Sequence, residues 1–213
     1  MTQQQKSHRE TKRAKTYAIL EEISTRLILE KGMSHVTIDE IAAEAGISKR
    51  TFFNYFPTKE DAILGPAPTP LTKEHNEQFI AVDHSNLTKA ALEVLLDMIF
   101  DPVRHTFNSV TYTRRHRILE AEPELLRQHF ARFHQAQEQV ERLIEEYLAT
   151  HPNRQRTKAT PAAEALIVTG IAVSAIRSAY MLTKATDPIE PHAFKAVARD
   201  VLADSTTILQ SKA

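Results

Sequence analysis

VTIDEIAAEAGISKRTFFNYFPTKEDAIL, residues 36–64, decides how this chain is read. Thr37-Ile38-Asp39-Glu40 has the spacing of a capping box, with Thr37 as N-cap and Glu40 reaching back to it. It predicts a short helix that turns Ile41, Ala42 and Ala45 inward. Gly46 breaks that helix and permits the left-handed backbone of a tight turn. Ser48 is a good N-cap for the next helix, predicted to run to about Phe56, where Pro57 stops it. Thr58 caps a further helix through Asp61 to Leu64. Two short helices joined by a glycine turn make a helix-turn-helix.

Within this hairpin Ile41, Ala45, Ile47 and Phe52 fall where the two helices face one core. Ala42 is small enough for a close crossing. Lys49, Arg50, Thr51, Phe53, Asn54 and Tyr55 are left with a largely free face, on which 49, 50, 53 and 54 form one stripe. Arginine bridges guanine O6 and N7, asparagine pairs with adenine N6 and N7, and threonine or phenylalanine meets a thymine methyl. Lys59 opens the following helix, where an ammonium and free N–H groups suit a phosphate. On residue types alone, an amphipathic hairpin with a solvated basic face stays open beside the DNA reading.

The whole stretch resembles the N-terminal DNA-binding domain of TetR-family transcriptional regulators, from about Arg9 to Leu64. The pattern that carries the resemblance is Thr-hydrophobic-x-x-Ile-Ala-x-x-Ala-Gly-hydrophobic-Ser, followed by Thr-x-x-x-Tyr-Phe-x-x-Lys-x-x-hydrophobic. It implies a three-helix DNA-binding head, a fourth helix leading to the body, and a larger helical domain that dimerises and often binds a small molecule. It implies that Thr37 touches the phosphate backbone. Ser48, Lys49, Arg50, Thr51, Asn54 and Tyr55 match recognition-helix contacts to bases and phosphates, and Lys59 matches a lysine set on a phosphate. Phe53 departs from the pattern, since many relatives carry tyrosine there. A phenyl ring cannot donate to phosphate, which leaves an apolar contact to a thymine methyl or a sugar.

Working outward, residues 1–59 hold ten Lys and Arg against seven Asp and Glu, although the 213-residue chain is neutral overall. Lys6, Arg9, Lys12, Arg13 and Lys15 crowd the first 15 residues, and residues 1–9 are expected to be a flexible basic tail. A basic end on an acidic body suits nucleic acid at that end. With no cysteine, disulfides and thiolate metal sites are excluded. The polar N-terminus lacks a signal-peptide core, so the expected location is the cytoplasm. Residues 165–183, ALIVTGIAVSAIRSAYMLT, approach the length of a membrane span, but a central Arg177 costs roughly 2.5–3.5 kcal/mol in a bilayer. A buried helix is expected instead, and no membrane partner.

The rest reads as helix after helix, at about 10–30 ahead of a Gly32 C-cap, then 71–81, 87–100, 102–119, 123–149, 160–184 and 190–211. TDP, residues 186–188, separates the last two. No segment alternates at period two, so the expected fold is all-α: an N-terminal three-helix helix-turn-helix domain over 1–64, and a helical ligand-binding and dimerisation domain over 65–213. GPAPTP, residues 65–70, is the expected junction and hinge.

In the body, the helix near 190–211 places Phe194, Val197, Ala198, Val201, Leu202, Ile208 and Leu209 on one apolar stripe. Its predecessor is rich in small residues. The two resemble the family's four-helix dimer bundle, with Gly170, Ser174, Phe194, Val197, Val201 and Ile208 as candidate interface residues. An ordinary intrachain core is the alternative. Arg177 requires a partner in an apolar helix, either an acidic residue in the core or across the dimer, or an acidic ligand. Leu126, Phe130, Phe133, Val140, Ile144 and Tyr147 follow core spacing. Phe100, Phe107, Tyr112, His116, Phe130, Phe133, His134, Arg177 and Tyr180 are candidate ligand-lining residues, although a filled core accounts for each aromatic equally well. His129 and His134, five apart, are poorly spaced for a shared metal. TRRHR, 113–117, reads as a solvated, charge-paired helix face.

The expected function is that of a dimeric regulator, a repressor released from a palindromic double-stranded DNA operator by a small-molecule effector. A ligand-independent DNA-binding or tethering factor with a solid body is the alternative. No cofactor, metal site or catalytic residue is expected. The four glycines are scattered, and HExxH and nucleophile-elbow motifs are missing.

Overall fold

Three helix starts in the N-terminal region are each set by a hydroxyl that accepts a backbone N–H three residues on. Thr37 accepts from Glu40, Ser48 from Thr51 and Thr58 from Asp61. Thr58 and Asp61 complete a reciprocal capping box, and caps of this kind contribute about 1 kcal/mol each. The computed structural model describes residues 3–100, 108–184 and 190–210. In it α1 is Gln3–Lys31, α2 Ile38–Glu44, α3 Lys49–Phe53 and α4 Lys59–Leu64. Then follow α5 Lys73–Ala81, α6 Leu87–Ile99, α7 Ser109–Ala121, α8 Pro123–Thr150, α9 Pro161–Thr183 and α10 Pro191–Gln210. Short 3₁₀ turns at Met33–His35 and Pro152–Arg154 were not foreseen. Among the described residues the fold is all-α.

The described backbone is helical from Gln3, so α1 begins within the stretch 1–9 expected as a basic tail. Residues 102–107, with Phe107, lie outside the described residues, as does the TDP linker; the described part of that helix is capped by Asn108.

The described residues form two compact units, one within 1–67 and 102–130 and the other within 68–101 and 131–213. These do not coincide with the segments 1–64 and 65–213, because α7 packs on α1. The first unit has one core. Leu20, Ile23, Leu27 and Ile28 of α1 meet Ile41, Phe52, Phe56 and Ile63, and Ile118, Leu119 and Leu125 join from α7 and α8. Phe52 and Phe56 are buried with ring centroids 5.8 Å apart, and Tyr17 packs on Phe56 in a tilted arrangement at 4.5 Å. Burying a phenylalanine side chain stabilises by about 1.5–3 kcal/mol, a large share for so small a head.

In the second unit α9 packs against α6 and α10. Leu92, Leu95 and Leu96 of α6, Ala172, Ile176 and Ala179 of α9, and Phe194, Ala198 and Leu202 of α10 are buried. Val140, Ile144 and Tyr147 of α8 are buried as well. After the prolines, Thr69 N donates to Met98 O at 2.7 Å and Leu71 N to Gln139 Oε1 at 3.0 Å, which ties this stretch to the second unit.

Candidate nucleic-acid interface

Gly46, at φ 66°, turns the chain between α2 and α3, and the amide of Ile47 donates to Ala42 O at 2.9 Å. This places α3 across α2 with Phe52 turned into the core. The opposite face carries Ser48, Lys49, Arg50, Phe53 and Asn54, all exposed, with Thr51 half-buried. Arg50 and Asn54 make no side-chain hydrogen bond among the described residues, so their planar donor groups are open to a partner. Phe53 is 46% exposed and meets Phe52 edge-on at 5.9 Å. An exposed phenyl on a basic helix is suited to a methyl or sugar contact. Tyr55 differs from its expected free position: it is half-buried and packs on the head core.

Two lysines have partners that the sequence did not announce. Lys49 Nζ donates to Asp39 of α2 at 2.8 Å, an exposed pair that an anionic ligand can replace at little cost. Lys59 Nζ donates to the carbonyls of Met33 at 2.6 Å and Val36 at 2.8 Å. Lys59 therefore braces the turn ahead of α2 and fixes Thr37 at its rim. Thr37 is exposed, and its oxygen accepts the Glu40 amide at 3.2 Å. The Glu40 carboxyl is held below the usual carboxylate range by its hydrogen bond with Lys31. A shallow cavity of about 520 Å³ lies beside α3, lined by Ser34, Thr37, Ile38, Phe53, Thr58 and Lys59 among others.

A hydroxyl-rimmed turn, a short helix presenting arginine and asparagine, and a capped helix start share one surface of the first unit. The model of the family described as bacterial regulatory proteins, tetR family, matches residues 22–63. That match covers the helix-turn-helix hairpin and parts of the helices on either side of it. The chain is 41% identical over 54 residues to the HTH-type transcriptional regulator EthR of Mycolicibacterium smegmatis (strain ATCC 700084 / mc(2)155), a match covering 25% of this chain and 24% of that protein. The match thus spans about a quarter of the length of the curated relative. Two crystal structures of NalD, the secondary repressor of the MexAB-OprM multidrug efflux pump in Pseudomonas aeruginosa, share the fold. One aligns with TM-score 0.54 at 19% identity over 91% of this chain and 94% of that chain. The other, native NalD, aligns at 0.53 and 19% over 91% and 95%.

The described candidate ligand residues of the body divide between the two units. Tyr112, His116 and Phe130 belong to the first unit, and Phe100, Phe133, His134, Arg177 and Tyr180 to the second. Phe100 is buried against Phe194, with centroids 5.4 Å apart. Phe130 is 59% exposed, outside the core stripe assigned to it. His134 is exposed beside Glu138. Arg177 is exposed, not buried, because it lies on the face of α9 turned from α6 and α10 and so reaches water without a core partner. His116 packs against Tyr112 with the rings tilted and their centroids 4.2 Å apart, and burial pushes its pKa down to about 3.

A different cavity, of about 330 Å³, lies in the second unit between the α5–α6 turn, the loop at 154–157 and the start of α9. Leu87, Val168 and Ile171 line it with His84, Arg154 and Arg156. Glu164 staples its rim by accepting the amides of Arg156 and Thr157 and the Thr157 hydroxyl. Burial raises the Glu164 pKa, but these donors outweigh it and hold the carboxyl below its usual value.

Of the candidate interface residues, Phe194 is consumed by the intrachain core. Gly170, Ser174 and Ile208 are exposed and Val197 and Val201 half-buried, because α10 turns 194, 198 and 202 inward and leaves 197, 201 and 208 on its flank. Leu166, Ile167, Met181 and Leu182 add exposed apolar surface on α9. Among the described residues α9 is the one helix long and apolar enough to cross a membrane.

Proposed function

We propose that this chain is a sequence-specific DNA-binding transcriptional regulator that acts as a homodimer on a palindromic operator. The observation that supports it most is α3, whose outward face presents unpartnered Arg50 and Asn54 beside Phe53 while Phe52 anchors the helix from behind. Arg50 and Asn54 read base edges; Thr37, Ser48, Lys49 and Thr51 hold phosphates; Phe53 meets a thymine methyl or a sugar. The half-buried Tyr55 offers its hydroxyl at the edge of this surface. Lys59 contributes by setting the turn that carries Thr37.

The exposed apolar face of α9, with Gly170, Ser174 and the flank residues Val197, Val201 and Ile208 of α10, is the surface that suits a second copy. A two-fold dimer sets its recognition helices roughly 34–36 Å apart, one turn of DNA. Repression is the role we assign, as for NalD, with release by a small effector. The cavity of about 330 Å³ lies at the small end of the range for ligand pockets, about 300–1,000 Å³. An effector acts only through different affinities for the DNA-bound and free states.

Footprinting on DNA from upstream of the chain's own coding region tests this reading. The expected result is two protected half-sites about 10 base pairs apart, centre to centre. Protection of a single half-site by a monomer would refute the dimeric arrangement.

A further inference from the structure

The arginine run at 113–117 is absorbed neither by the DNA-facing surface nor by a cavity. Arg115 is buried, with its side chain only 9% exposed. Its Nη2 donates to Glu21 Oε1 of α1 at 2.6 Å, and its Nε donates to Ile63 O at the end of α4 at 2.7 Å. The guanidinium occupies the space beside Gly65, where an added Cβ would clash with Nη2. One residue earlier, Arg114 Nη1 donates to Glu22 Oε1 at 2.9 Å. Glu22 also faces Arg26 Nε at 3.6 Å, and Arg26 pairs with Glu44 of α2. Consecutive arginines of α7 thus grip consecutive glutamates of α1, and ion pairs continue from there to the helix beneath α3. The apolar core runs the same way, with Ile118 and Leu119 of α7 in one cluster with Ile41 and Phe52.

We infer that Arg115 and Arg114 are positioning residues for DNA binding: they lock α1 to the end of α4, and the DNA-binding unit is completed by α7 rather than ending at Leu64. This rests on the DNA-binding reading above. The two arginines act through the framework beneath α3, which fixes the spacing of α3 from the hydroxyl-rimmed turn at Thr37. A burial-driven rise in the Glu21 pKa, opposed by Arg115, accords with a carboxylate that depends on this one guanidinium.

The test uses the full chain, the duplex from upstream of its own coding region and a scrambled duplex. Fluorescence anisotropy gives Kd across a salt series, and stoichiometric titration gives the DNA-competent fraction. Arg115→Ala is expected to weaken binding by the competent fraction at least about tenfold, within the usual range for coupled sites. The slope of log Kd against log salt should stay unchanged, because no phosphate contact is lost. Arg115→Lys, which reaches Glu21 but cannot also span to Ile63 O, should recover part of the loss. Arg114→Ala, at a partly exposed pair, should show a smaller loss in the same direction.

A merely structural role would lower the competent fraction and leave its Kd alone. Parental Kd in Arg115→Ala overturns the inference, as does a fall of about one in the salt slope, which would make Arg115 a phosphate ligand. If Arg115→Ala does not fold, Glu21→Gln and Arg114→Ala decide the matter, and parental affinity in both overturns it. A parent chain that binds neither duplex even at about 50 mM salt overturns the DNA-binding reading itself. A parent that binds beside unaffected variants overturns only the positioning role.

Discussion

His116→Gln should flatten the pH dependence of stability below neutrality. In the folded chain His116 packs against the tilted Tyr112 ring, faces His129 with centroids 6.1 Å apart, and sits beside Arg115. Burial is the main cause of its pKa falling from 6.5 to about 3, with smaller contributions from the neighbouring His129 and Arg115 charges. For a base whose folded pKa is depressed, the stability is present above the unfolded value of 6.5. It is lost as pH falls towards 3, since only the unfolded chain takes up the proton in between. At pH 5 the unfolded imidazole is about 1.5 pH units below its pKa, and each unit is worth about 1.4 kcal/mol, so this residue withdraws about 2 kcal/mol. For a chain of this size that corresponds to a fall of about 4–8 °C in Tm. Urea denaturation of parent and variant at pH 7.5 and 5.0 measures the difference. The parent should lose about 2 kcal/mol more than His116→Gln between the two. Parallel losses would show that His116 takes up its proton in the folded state and would refute the burial argument.

Other outcomes follow from the interface. Asn54→Ala should cost about 1–3 kcal/mol on the preferred duplex and little on a scrambled one, relaxing sequence preference; equal loss on both, measured by anisotropy, would remove Asn54 as a base reader. Asp39→Asn frees Lys49 and should tighten binding to any duplex at low salt, with the gain fading as salt rises; unchanged Kd would mean that the Lys49–Asp39 pair does not compete with DNA. Gly65→Ala combines a φ of 69° with a Cβ driven into Arg115, and should destabilise by more than about 1 kcal/mol in thermal melts; a neutral variant would mean that the guanidinium moves aside freely.

What proved legible in the sequence is what is local. Thr37, Ser48 and Thr58 each act on an amide three residues on, and Gly46 and Gly32 each take a positive φ at a helix boundary, so these helix starts could be read directly, whereas α3 stops at Phe53, short of the Phe56 expected from Pro57. Helical spacing also turned Phe52 inward and left Phe53 outside, since adjacent residues on a helix point about 100° apart. Lys59 is another matter. Its residue type suits phosphate, but its carbonyl partners lie 26 and 23 residues earlier, and no local signal reports them.

The same limit explains the body. Apolar periodicity marks α9 and α10 as packing helices but cannot say which side of each stripe meets its own chain. The apolarity of its neighbours predicts a partner for Arg177, yet within its own chain the side chain is exposed. The α10 stripe splits into an inner row at 194, 198 and 202 and an outer flank. Arg115 shows the converse. A run of basic residues reads as a solvated face, whereas its partner Glu21 is 94 positions away and both are buried. Burial of a charged pair is a property of the assembled core, and the single helix carries no trace of it.

The most direct test of the central claim is fluorescence anisotropy of the purified chain with labelled DNA from immediately upstream of its own coding region, against a scrambled duplex at about 0.15 M salt. The account predicts a Kd of about 10⁻⁸ M or tighter for the first duplex and at least about a hundredfold weaker binding to the second. Equal, weak binding to both would contradict sequence-specific recognition by the outward face of α3.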